Sequence, residues 1–180
     1  MKTIGVRTVF ITLGILLLPL IAMQFTNEVT WDITDFLVGG ILFLVTGLSY
    51  EVVSTKAVNK THRIGTGVTL FTSLLLIWVN QAVGLIGSEN NPANLMYVGL
   101  LGVVFIGATM SRLKADTMVW VMSTAAVSQI LVALIAIIAG WGQEGANWPW
   151  NLAVGNLIFA LLWLGSAGLF GLAAQKQRVS

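Results

Sequence analysis

The sequence has no cysteine and a single histidine, His62. Without a thiol there is no disulfide, thiolate metal site, iron–sulfur cluster or cysteine nucleophile. One imidazole leaves no bis-histidine haem, no His-rich zinc site and no His-based acid–base pair. Charge is scarce as well: 9% of the 180 residues are Asp, Glu, Lys or Arg, against about a quarter in an ordinary soluble domain. So few charges cannot cover the surface of a water-soluble domain, which excludes a soluble enzyme, a nucleic-acid binder and a disordered chain. Period-two alternation is missing too, so no P-loop or dinucleotide-binding glycine pattern has a strand to follow. Gly165-Ser166-Ala167-Gly168 sets a serine among glycines, but not at G-x-S-x-G spacing and with no base on its side. It reads as a small-residue helix contact. The expectation is a protein that is not an enzyme, with no cofactor and no metal.

What is present is apolar. Hydrophobic residues make up 57% of the chain, and the mean hydropathy is +0.90. Six apolar stretches, roughly 8–25, 36–53, 65–86, 95–113, 117–139 and 152–174, are each long enough to cross the ~30 Å hydrocarbon core as a helix. They lack the alternation of a barrel strand, which leaves helices as the spanning structure. This predicts an all-α membrane protein: a six-transmembrane-helix bundle forming one domain over 1–180, with short connections and antiparallel neighbours. The first stretch has the basic start of a signal peptide. A cut after Ala22 would put Leu20 where a small residue is wanted, so it reads as a retained helix, bent at Pro19.

The charges give a direction. Lys2, Arg7, Lys56, Lys60, Arg63, Arg112, Lys114, Lys176 and Arg178 fall on one side of the spans, and Glu28, Asp32, Asp35, Glu89 and Glu144 on the other. The positive-inside rule then places both termini in the cytoplasm, with the protein multi-pass in a bacterial cytoplasmic (inner) membrane. Trp31, Trp141, Trp148 and Trp150 sit at the outer span ends, where amphipathic rings favour the interface.

The three outer loops look alike. Asn27-Glu28, Ser88-Glu89 and Gln143-Glu144 close the outward helices, and Asp35, Asn94 and Asn151 stand at the start of the inward ones. Helix N-capping accounts for Asp and Asn there, and Pro92 and Pro149 suit a first helical turn. The alternative is three similar helical hairpins, an internal repeat of the kind found in transporters.

No Lys, Arg, Asp or Glu lies in the middle of a span. A midplane carboxylate is the usual mark of ion coupling, so an ion-coupled transporter is disfavoured. Glu51, at the end of span two, is expected to reach the interface near Lys56. Polar amides remain. At 100° per residue, Thr69, Ser73, Leu76, Asn80, Gly84 and Gly87 align in span three, which places that span at the centre of the bundle. Ala125, Gln129, Ala133 and Ala136 align in span five, and Asn156, Ala160, Trp163 and Ala167 in span six. Two readings stay open for Asn80, Gln129 and Asn156. They are interhelical hydrogen-bond glue, or they line an outward-open polar pocket.

The run from Trp78 to Tyr97, which includes Asn80-Gln81-Ala82-Val83-Gly84 and Ser88-Glu89-Asn90-Asn91-Pro92, resembles a segment of a family of small uncharacterised proteobacterial inner-membrane proteins. The flanking helices look similar as well. That resemblance implies a six-helix inner-membrane protein with no assigned activity, and it transfers no catalytic residue.

The functional expectation is binding or passage of a small neutral or cationic solute through an outward-facing polar pocket. The candidate ligand-binding residues are Asn80, Gln129 and Asn156, with Glu89 and Asp35 at an acidic mouth and Tyr97 and Trp148 as aromatic walls. Carboxylates without nearby Lys or Arg attract cations and repel anions, and amides serve neutral ligands. The alternative is a structural or accessory subunit of a larger membrane complex with no ligand of its own. Expected partners are the lipid bilayer and either a second copy of the chain or a larger membrane complex, with no nucleic acid.

Overall fold

A computed structural model of the protein describes residues 5–145 and 147–179. Six helices follow in order: α1 (Val6–Phe25), α2 (Ile33–Ser54), α3 (Lys60–Ala82), α4 (Leu95–Met110), α5 (Ala115–Ile138) and α6 (Trp150–Val179). All six are long and apolar enough to cross a membrane, taking α4 with the short 3₁₀ turn Pro92–Asn94 that leads into it. The protein is a multi-pass membrane protein. Its helices form two compact units, residues 1–55 and 56–180.

In the first unit α1 and α2 form an antiparallel hairpin. A capping box starts α2: Asp35 N–H donates to Asp32 Oδ1 and Asp32 N–H donates to Asp35 Oδ2, each at 2.9 Å. Asp35 is thus the third residue of the helix, and Asp32 is its cap. Thr8 and Thr12 are buried in the seam. A Cβ on Gly47 would lie 2.5 Å from Thr8 Cγ2, so glycine there lets the two helices close. Glu51, near the end of α2, turns toward the start of α1. Its carboxylate accepts from Gly5 N–H and from the Thr8 hydroxyl, both at 2.7 Å. The free N–H groups and positive dipole end of α1 attract it. Helix α1 runs on through Pro19 as one helix.

In the second unit the stops are written in backbone conformation. Helix α3 ends four residues earlier than its apolar run, because Gly84 turns the chain at φ +70°. Helix α5 ends in a Schellman motif, with Gly140 at φ 69°, Gly140 N–H on Ile137 O at 3.1 Å and Trp141 N–H on Ala136 O at 2.8 Å. Helix α4 ends the same way without a glycine: Arg112 and Leu113 take φ 51° and 60°. At its far end α6 continues through Lys176 and Arg178 to Val179, beyond its apolar run. Long basic side chains sustain such an end at an interface by keeping their charges in water.

Span three is not central. The tightest seams are α5 with α6, α3 with α6 and α4 with α5. Helix α6 is therefore the principal neighbour of α3, although α4 follows α3 in the chain. The loop after α3 makes this possible, since it is long enough to carry the chain away from its own helix. The core is built from Leu76, Tyr97, Met122, Phe159, Trp163 and Phe170, with alanines 125, 126, 133, 136 and 167 letting α5 and α6 approach closely.

Candidate functional site

The second unit has an acidic end, formed by the α3–α4 and α5–α6 loops, and a basic end holding the start of α3 and the finish of α6. At the acidic end the two loops meet through glycine. A Cβ on Gly142 would lie 2.6 Å from Gly87 N, and one on Gly87 would lie 2.9 Å from Gly142 Cα. Both glycines have positive φ, at 84° and 74°, a region closed to most side chains. Asn94 braces the first loop. Its Oδ1 accepts from Ile86 N–H at 2.9 Å and its Nδ2 donates to Ser88 O at 2.7 Å. It makes no side-chain cap on α4, so the N-cap expected of it is replaced by a loop brace.

These loops enclose a cavity of about 300 Å³ lined by Val83, Gly84, Leu85, Gly87, Gly142, Gly145, Trp148, Asn151 and Leu152. Trp148 is held in place by its indole N–H, which donates to Trp141 O at 3.3 Å. Four of the lining residues are glycines, so backbone rather than side chain forms part of the wall. Glu89 and Glu144 lie exposed in the two loops, and neither loop contains Lys or Arg.

Leu152 links this cavity to a second, sealed feature. Its carbonyl accepts from Asn156 Nδ2 at 2.9 Å, one turn deeper on α6. Asn156 Oδ1 accepts from Tyr97 Oη at 2.9 Å and from Gln129 Nε2 at 2.8 Å. Gln129 Oε1 accepts from Trp163 Nε1 at 3.3 Å. Asn156, Gln129 and Trp163 are 0% exposed and Tyr97 is 2% exposed. Side chains from α4, α5 and α6 thus satisfy one another in a closed network, and none of the four lines the cavity.

Of the residues singled out by sequence, Tyr97, Gln129 and Asn156 come together in this network, and Trp148 lines the cavity. Asn80 stands apart: its Nδ2 donates to Leu76 O of its own helix at 2.8 Å. Glu89 is exposed and accepts from Asn90 Nδ2 at 2.9 Å. Asp35 belongs to the first unit and is spent in the α2 capping box. Trp163 and the Leu152 carbonyl were not singled out. The 100° stripe on span six does carry Trp163 beside Asn156, and that is the signal that pointed to it. Gly84 and Gly87 lie on the span-three stripe, but nothing in that spacing marks them as turn or cavity residues, because a positive φ leaves no periodic trace, and Gly142 and Gly145 lie on no stripe. Among the described residues no group of three or more His, Asp or Glu side chains is gathered for a metal. Comparison with protein-family models, curated proteins and solved structures finds no match for the chain.

Proposed function

We propose that this protein sits in a bacterial inner membrane with its acidic end outward and binds a small neutral polar or cationic solute in the cavity between the α3–α4 and α5–α6 loops. The cavity itself carries this reading. At about 300 Å³ it stands at the small end of the range for ligand pockets, which suits a solute of a few heavy atoms. Backbone donors and acceptors on glycine-rich walls serve a neutral polar ligand. Glu89 and Glu144, unopposed by any basic residue in the same loops, attract a cation and disfavour an anion. The closed Tyr97–Asn156–Gln129–Trp163 network lies beneath it, so binding is favoured over passage through the α4–α5–α6 interior.

The test is a thermal-shift screen of the purified protein against small amides, polyols and monovalent cations, with matched anions as controls. A neutral or cationic member is expected to raise Tm, and Trp148→Ala is expected to remove that shift while the variant stays folded. If no member shifts the wild-type Tm, the reading fails.

An accessory-subunit role is the second reading, and one observation favours it. Helices α4 and α6 carry glycines 99, 102, 165 and 168 with nothing within 4 Å of a Cβ placed there. Bare small-residue faces suit docking by another transmembrane helix. A clean monomer mass in mild detergent across concentrations would count against self-assembly through these faces.

A further inference from the structure

Positions 62, 66, 69, 73, 76 and 80 recur at the four- and three-residue steps that stay on one helix face. On α3 they are His62, Thr66, Thr69, Ser73, Leu76 and Asn80, five polar side chains and one leucine spread over roughly 27 Å. This is an unusual face for a transmembrane seam, and α6 packs along α3. A Cβ on Gly65 would lie 3.3 Å from Leu169 Cβ. The Thr69 and Ser166 hydroxyls are 2.7 Å apart, and each reaches Gly65 O at 3.1 Å.

Two atoms on this face are buried with no hydrogen-bond partner among the described residues: Thr66 Oγ1 and Asn80 Oδ1. Thr66 is only 4% exposed. A buried polar oxygen left dry carries a desolvation penalty that a bound water removes. The two oxygens lie on either side of the Thr69–Ser166 pair along α3. Asn80 stands one turn before Gly84, which lines the acidic-end cavity. Leu76 is the apolar interruption, 0% exposed between Ser73 and Asn80.

We propose that the α3–α6 seam is a water file leading from the acidic-end cavity toward His62, with water held at Asn80 Oδ1 and Thr66 Oγ1, and that Leu76 closes it. Hydroxyls donate and accept at once, so Thr69 and Ser166 continue the chain between bound waters. A lone leucine in a narrow polar path blocks it by dewetting. Each water or hydroxyl in an unbroken chain takes a proton on one side and releases one on the other, so an opened file passes protons with no net change in its members. The proposal goes beyond solute binding at the cavity and does not rest on it, since Asn80 Oδ1 and Thr66 Oγ1 would each hold water whether or not a solute occupies the mouth.

The experiment uses the full chain in liposomes loaded with a pH-sensitive dye, with a potassium diffusion potential as driving force. The wild type is expected to match empty liposomes. Leu76→Ser is expected to raise proton flux by on the order of tenfold, and adding Thr66→Val is expected to abolish the gain. Leu76→Ala serves as the milder opening. If both Leu76 variants misfold, Thr66→Val alone decides. A dry hydroxyl replaced by an isosteric methyl raises Tm, whereas a hydroxyl bonded to water leaves Tm unchanged or lower after the same change. No added flux from a folded Leu76 variant, flux that survives Thr66→Val, or a raised Tm for Thr66→Val overturns the proposal.

Discussion

Asn156 Oδ1 takes hydrogen bonds from two helices at once, from Tyr97 on α4 and Gln129 on α5, while its own Nδ2 is spent on α6. Removing it strands a buried hydroxyl and a buried amide, so Asn156→Ala is expected to cost about 1–3 kcal/mol in reversible detergent unfolding. Tyr97→Phe removes one bond and strands nothing, since Oδ1 keeps its Gln129 donor, and should cost about 0.5–1.5 kcal/mol. Asn80→Ala gives up a bond to the Leu76 carbonyl of its own helix and no direct bond to another helix, and its unfolding midpoint is expected to stay near wild type. Equal losses for Asn80 and Asn156 variants would contradict this ranking. The sequence marked all three amides as alike. Each sits on a stripe of small or polar residues at or outside the middle of its span, and only the partner across the seam separates a network member from a residue bonded to its own helix.

At the scale of elements, Asn59 joins two helices through one side chain. Its Oδ1 accepts from His62 N–H at 2.9 Å and caps α3, while its Nδ2 donates to Ala173 O of α6 at 2.9 Å. Asn59→Ala loses both and is expected to cost about 1–2 kcal/mol. Asn59→Asp keeps the cap and loses the cross-helix donor, so its Tm should fall between wild type and alanine; a wild-type Tm for Asn59→Asp would mean the α6 contact contributes nothing. Gly84 belongs at this scale too. The span-three stripe set it among residues facing the centre of the bundle. In the structure its positive φ ends α3, and an added Cβ would strike Ser88 O of its own loop. Helix existence was legible throughout, because ~20 apolar residues have one solution in a bilayer. Helix ends were less so, since apolar runs such as Val83–Ile86 continue past the backbone turn that stops the helix.

For the second unit as a whole, the order of packing is what α6 decides by lying against both α3 and α5. Because the chain has no native cysteine, Thr69→Cys with Ser166→Cys offers a clean check. Hydroxyls 2.7 Å apart place two sulfurs within reach of a disulfide, so the pair is expected to cross-link on mild oxidation and change mobility after cleavage in the α3–α4 loop. Absence of that cross-link in a folded variant would contradict the α3–α6 seam. A reporter fused after residue 180 is expected to be active only in the cytoplasm if the one-sided basic residues set the direction as the positive-inside rule predicts; a periplasmic signal would reverse the proposed direction of the cavity.

Composition and run length by themselves determined that this chain is an all-helical, six-span membrane protein. The reason is that hydrocarbon tolerates no unpaired backbone and so leaves a run of apolar residues little choice. The stripes on α5 and α6 were also readable, since a 100° step places Gln129, Asn156 and Trp163 on faces that must be buried. Three things came only from the tertiary structure. One is the pairing of α3 with α6 rather than with its neighbour in sequence, where loop length permits several orders and side-chain fit selects one. Another is the closure of the amides into a sealed network, which depends on where three helices meet. The last is the cavity, where the positive φ values of Gly84, Gly87 and Gly142 arise from how two loops turn and touch, a property of backbone geometry that no spacing of residue types encodes.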